Sequence, residues 1–138
     1  MLKQFFIVFG VLMAGYTTCQ AQVPDTIAYL KSIEAEKSKY IGKTFDQMEK
    51  DLKIQIVYFG PLAMIHNNIS KETSTRFYFI VPEYGDDFKS NYIEVYWDPY
   101  LDADKSRDIF RDAPDDSNWT AAAKAFYSKG VIKNIEAP

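Results

Sequence analysis

The first hydrophobic pattern along the chain is an unbroken apolar run near its start. Lys3 precedes the run at residues 5–14, and mainly small and hydroxyl residues follow as far as Ala21. A basic residue, a short apolar run and a small-residue cleavage site are the parts of a signal peptide. A bilayer-spanning helix needs about 20 apolar residues, roughly twice the length of this run. The pattern predicts a signal peptide over residues 1–21, no transmembrane anchor, and a single small α+β domain over residues 22–138.

The residues around the cleavage site leave two ways of processing the chain. Cleavage after Ala21 satisfies the small-x-small rule, with Cys19 as the other small residue. The alternative is a lipid anchor on Cys19, but Tyr16, Thr17 and Thr18 before it match the lipidation pattern poorly. Because Cys19 is the only cysteine, no intramolecular disulfide can form. An exported domain without disulfides indicates a bacterial envelope protein, periplasmic or secreted.

Two helices are predicted at the start of the domain. Apolar residues within 23–39 recur at near-helical spacing after Asp25, which suits a helix N-cap. A second helix is predicted from Thr44, because Gln47 three residues later completes a capping-box spacing.

From residue 53 the period changes to that of β-strands. Strands are predicted at residues 54–59, 75–81, 92–97 and 131–135, the first three ended by Gly60-Pro61, Pro82 and Asp98-Pro99. Short turns between strands favour antiparallel pairing.

The C-terminal part predicts one further helix. Alanine-rich residues lead to Tyr127 after Ser117 or Asn118, either of which suits an N-cap. The acidic segment before it is poor in apolar residues, with room for a short helix over 105–111. Together the elements predict an α+β fold, with an antiparallel sheet of three to five strands packed against two N-terminal helices and one C-terminal helix.

The charge balance excludes one class of partner. The chain has 16 Lys and Arg against 19 Asp and Glu, and loss of Lys3 with the signal peptide changes the net charge from -3 to -4. No basic stripe is available for a phosphate backbone, so we expect no nucleic-acid partner.

Catalytic motifs are sparse. His66 is the only histidine, and neither Ser70 nor Ser74 lies in a nucleophile-elbow motif. We interpret His66 as a solvated loop residue and assign no catalytic residues. A pair of carboxylates could hydrolyse a substrate, but no pair is marked out among the acids.

The acidic segment after the third predicted strand suggests a cation. Asp98, Asp102 and Asp104 are spaced like oxygen ligands of calcium. An EF-hand is excluded, because Arg107 and Ala113 occupy its glycine and bidentate-glutamate positions. The alternative is a solvated acidic loop. No other cofactor is expected.

Aromatic residues are the one excess, at 16% of the chain. Tyrosines on the predicted strands are the candidate binding residues: Tyr58, Tyr78, Tyr92 and Tyr96. Strand alternation places Tyr92 and Tyr96 on one face with Glu94. Tyrosine suits recognition because it brings a large rigid surface with a polar tip. The alternative is that helices cover this face.

These observations predict an exported, non-enzymatic binding module that uses an aromatic sheet face. Its expected partner is another envelope or secreted protein. The alternatives are a small secreted hydrolase that works through carboxylates and a calcium-stabilised structural domain.

Overall fold

The computed structural model describes residues 25–63, 65–82, 89 and 91–138. The predicted signal peptide over residues 1–21, with its cleavage site and Cys19, lies outside the described residues. No helix in the described ranges is long and apolar enough to cross a membrane.

The described chain folds into a four-stranded antiparallel sheet with four α-helices. In chain order the elements are α1 (Thr26–Ala35), a 3-10 turn (Lys37–Lys39), α2 (Phe45–Glu49), β1 (Tyr58–Leu62), β2 (Lys71–Tyr78), β3 (Tyr92–Asp102), α3 (Ala103–Arg111), α4 (Ala121–Tyr127) and β4 (Ile132–Glu136). The strands lie in the order β1-β2-β3-β4. The predicted α+β class with an antiparallel sheet is confirmed. The predicted arrangement of two N-terminal helices and one C-terminal helix is not, because α3 follows β3 directly.

Local capping signals identify the first two helix starts correctly. The Asp25 carboxylate accepts the Ala28 N–H at 3.0 Å, and the Gln47 side chain accepts the Thr44 N–H at 3.2 Å. However, α1 ends at Ala35 rather than at residue 39. Residues 36–39 offer no apolar side chain to the core, so nothing extends the buried face.

Two of the three predicted proline stops are wrong, because Pro61 and Pro99 lie where the sheet needs no N–H from them. Pro61 is inside β1, an edge strand, and Pro99 is inside β3, opposite no partner residue. Prolines are tolerated at such unpaired edges. β1 therefore covers Tyr58–Leu62 instead of residues 54–59, and β3 continues to Asp102.

Two further boundaries differ from the sequence prediction. β2 covers Lys71–Tyr78 rather than residues 75–81. The N-cap of α4 is Thr120, whose hydroxyl accepts the Ala123 N–H at 3.3 Å, and not Ser117 or Asn118. The final predicted strand is confirmed as β4.

The hydrophobic core lies on one face of the sheet. Directly opposite strand residues such as Phe59, Phe77 and Ile93 share this face. They pack with buried residues of α1, α2 and α4 in one cluster that includes Leu30, Phe45 and Tyr127. This packing leaves the opposite face of the sheet to other side chains.

Candidate binding face of the sheet

The four predicted binding tyrosines all lie on the sheet face opposite the core, which we call the outer face. The register places Tyr58 opposite Tyr78, Tyr78 opposite Tyr92, and Tyr96 opposite Ser74. Residues directly opposite each other in antiparallel strands point to the same side. The outer face is formed by Tyr58, Gly60, Leu62, Ser74, Arg76, Tyr78, Tyr92, Glu94, Tyr96, Asn134 and Glu136.

Three of these tyrosines continue into a line of aromatic rings. The ring centroids are 5.6 Å apart between Tyr92 and Tyr78, and 5.9 Å apart between Tyr78 and Tyr58. Phe110 of α3 extends the line at 5.9 Å from Tyr58. We call these four residues the aromatic row. Inclined rings at such distances attract one another, which holds the row in place.

Exposure differs along the aromatic row. Tyr78 is 3% exposed, and burial raises the pKa of its hydroxyl. Tyr58 and Tyr92 are half-buried, and Phe110 is 37% exposed. The buried central tyrosine supports its neighbours, so the accessible surface comes from the other three rings.

A salt bridge lies beside the aromatic row. Glu94, 8% exposed, accepts from Ser74 Oγ at 2.7 Å and from Arg76 Nε at 3.0 Å. The Arg76 guanidinium also lies 4.7 Å from the ring centroid of Tyr92, a cation–π contact. The charges of this pair are therefore satisfied within the outer face.

Tyr96 lies on the outer face apart from the aromatic row. Its hydroxyl donates to Glu136 at 2.8 Å. Burial, together with this bond to Glu136, raises the pKa of Tyr96. The hydroxyl therefore stays protonated and acts as a donor.

A groove between α3 and β1 adjoins the Phe110 end of the aromatic row. Its volume is about 610 Å³, and its lining residues are Gly60, Pro61, Asp104, Arg107, Asp108, Phe110 and Arg111. Arg107 pairs with Asp104, and Arg111 pairs with Asp108 at 3.0 Å. Sequence analysis missed Phe110, although Ile109 and Phe110 are the two large apolar residues of the predicted helix over 105–111.

The candidate calcium ligands are not gathered into a site. The Asp102 carboxylate caps α3 by accepting the N–H groups of Asp104 and Lys105, each at 3.1 Å. The bond from Lys105 lowers the pKa of Asp102. Asp98 is exposed. Within the described ranges, no three His, Cys, Asp or Glu side chains are grouped so that they could hold a metal ion.

The candidate catalytic serines have other partners. Ser70 Oγ donates to Asn68 at 2.8 Å, and Ser74 Oγ donates to Glu94. His66 is exposed in a turn.

Comparison of the chain with models of protein families, with curated proteins and with solved structures finds no match. Function is therefore inferred from the outer face itself.

Proposed function

We propose that this protein is a non-enzymatic binding module of the bacterial envelope, exported by a cleaved signal peptide, whose outer face binds another envelope or secreted protein. The observation that carries the proposal is the aromatic row. Tyrosine and arginine are enriched among the residues that dominate protein–protein binding energy, and Tyr58, Tyr92 and Arg76 lie together here.

The geometry of the row lowers the entropic loss on binding. Tyr58 and Tyr92 project from paired strands and contact Tyr78 between them. A partner therefore meets rings that are already ordered, which leaves more of the contact energy for affinity. The Arg76–Glu94 pair is satisfied internally, so covering it leaves no new unpaired charge.

Export is supported by the apolar run at residues 5–14 and the small residues before Gln22. Mass spectrometry of the protein recovered from the envelope fraction tests it. A mature chain that begins at Gln22 is expected. A mass that includes an acyl group on Cys19 would instead show a lipoprotein.

Binding is tested by cross-linking followed by affinity measurement. A photoreactive residue at position 58 or 92 is expected to capture a discrete protein in the envelope, whereas one at Tyr100 is not. Tyr100 is the matched control, because it is 45% exposed and lies on β3 outside the aromatic row.

The captured protein is then titrated with purified variants. Combined Tyr58→Ala and Tyr92→Ala substitution is expected to weaken binding at least tenfold, since truncation of an interface aromatic often costs more than about 1.4 kcal/mol. Tyr100→Ala is expected to have little effect. Equal affinities for the two variants, with folding intact in both, would refute the proposed surface.

A further inference from the structure

The buried carboxyl group of Glu72 lies outside the proposed binding face. Between Glu72 and Ser74 the register of β2 against β3 shifts: Glu72 is opposite Leu101, but Ser74 is opposite Tyr96. Because this irregularity interrupts strand alternation, Glu72 is not on the outer face. Its side chain is 0% exposed and contacts α4 through Tyr127.

Hydroxyl groups satisfy only one oxygen of this carboxyl. Glu72 Oε1 accepts from Tyr127 Oη at 2.9 Å and from Thr75 Oγ1, and Thr75 Oγ1 accepts from Trp97 Nε1 at 2.8 Å. Glu72 Oε2 is buried and has no hydrogen-bond partner among the described atoms. An unpartnered oxygen is far more costly on a carboxylate than on a neutral carboxyl.

No cation of the described elements compensates a charge at Glu72. The titratable group that faces it is Tyr127. The charged residues of the packed elements are exposed or engaged on the outer face: Lys71, Arg76, Glu94, Asp98, Asp102, Asp104, Lys105, Arg107, Asp108, Arg111 and Lys124. Burial raises the pKa of Glu72, against the hydrogen bonds from Thr75 and Tyr127, which lower it. The nearby Ser106 Oγ donates to Ala103 O at 3.2 Å instead.

The α3 helix lies beside this carboxyl and keeps its two large apolar side chains only partly buried: Ile109 is half-buried against the core, and Phe110 is 37% exposed. The side chains that it buries fully are small, Ala103 and Ser106, whereas α4 buries the whole of Tyr127. Two contacts tie the start of α3 to the turn before β2: Ala103 N–H to Ser70 O at 2.9 Å, and Arg107 to Ile69 O at 2.6 Å. A carboxylate that needs water therefore has its easiest access by displacement of α3.

We propose that Glu72 is a neutral carboxylic acid in the folded protein at neutral pH, and that its ionisation releases α3 from the sheet. α3 would therefore separate from the sheet as pH rises. Because Phe110 lies on α3, opening also removes one end of the aromatic row; only this consequence for binding depends on the proposed function.

The first test is a carboxyl ¹³C NMR titration of the wild-type protein from pH 3 to 10, with the Glu72 resonance assigned through the backbone. Exposed glutamates titrate near pH 4.3. The Glu72 resonance is expected to keep its neutral shift at pH 7. Titration together with the exposed glutamates would overturn the proposal, and this measurement requires no variant to fold.

The second test compares the urea midpoints of wild type and Glu72→Gln across the same pH range. A carboxyl whose folded pKa is raised contributes stability at low pH, and this stability is lost as pH rises from the unfolded towards the folded pKa. Between these two values each pH unit lowers the wild-type folding equilibrium constant about tenfold relative to Glu72→Gln. The exposed control Glu36→Gln is expected to follow wild type. Parallel curves for wild type and Glu72→Gln would refute the inference.

Hydrogen exchange locates the opening. After correction for the intrinsic pH dependence of exchange, protection of α3 amides is expected to fall with rising pH before that of β3 in wild type, and not in Glu72→Gln. Loss of protection in α3 and β3 together would show global unfolding and refute the local release of α3.

Discussion

Replacement of Asn118 by alanine tests how the backbone of the edge strand β1 is hydrogen-bonded on its open side. Asn118 is 2% exposed, and its side chain pairs with both backbone groups of Phe59. Phe59 N–H donates to Oδ1 at 2.7 Å, and Nδ2 donates to Phe59 O at 2.9 Å. The amide thus occupies the place that a neighbouring strand would take along β1.

The magnitude follows from the two groups that the substitution leaves without partners. Phe59 is fully buried, and each unsatisfied buried polar group costs about 1–3 kcal/mol. Asn118→Ala should therefore reduce the free energy of unfolding by about 2–6 kcal/mol, a large part of the 5–15 kcal/mol typical of a domain. With a urea m-value of about 1–3 kcal/mol/M, the midpoint should fall by at least about 0.7 M.

Urea unfolding followed by tryptophan fluorescence measures this change. Asn134→Ala is the matched control, because its half-buried amide donates to the exposed Glu136 at 3.2 Å, and the loss should stay within about 0.5 kcal/mol. Asn118→Asp keeps the acceptor but places a carboxylate against Phe59 O, so its stability should partly recover at low pH, where a neutral carboxyl can donate. A change no larger for Asn118→Ala than for Asn134→Ala would refute the reasoning.

Two further predictions concern packing and metal binding. A Cβ on Gly130 would lie 2.7 Å from Trp97 Cζ3, so Gly130→Ala should destabilise the protein by about 1–3 kcal/mol in urea unfolding. The loss should be smaller in a Trp97→Phe background, and strict additivity would show that the contact with Trp97 is not the cause. Addition of a chelator should leave the melting temperature unchanged, because Asp102 caps α3 and, within the described part of the chain, belongs to no group of three metal-ligating side chains. A lower melting temperature would revive the calcium hypothesis.

Helix caps and side-chain alternation in strands could be predicted, because each depends on residues close together in the sequence. Asp25 and Thr44 were identified as helix caps because a capping bond joins residues three positions apart. Strand alternation likewise placed Tyr92 and Tyr96 on one face, because side-chain direction in a regular strand depends only on position.

Features decided by distant residues could not be predicted in this way. Asn118 has the composition of a helix cap, but its amide is engaged by Phe59, 59 positions away, and Thr120 caps the helix instead. Gly60-Pro61 has the composition of a strand end, but β1 is an edge strand and continues through it. In both cases the local residues are typical of the predicted feature, but the position of the segment in the tertiary structure determines a different one.

Glu72 and Glu94 show how strand register decides the state of a carboxyl group. Both side chains are buried, and Arg76 is four positions from Glu72 but eighteen from Glu94. Sequence proximity would pair Arg76 with Glu72; the sheet register places it opposite Glu94 instead. One carboxyl therefore meets a guanidinium on the outer face, and the other accepts hydrogen bonds from hydroxyl groups in the core. The register shift after Glu72 thus separates a compensated charge, suited to an interface, from a neutral acid that responds to pH.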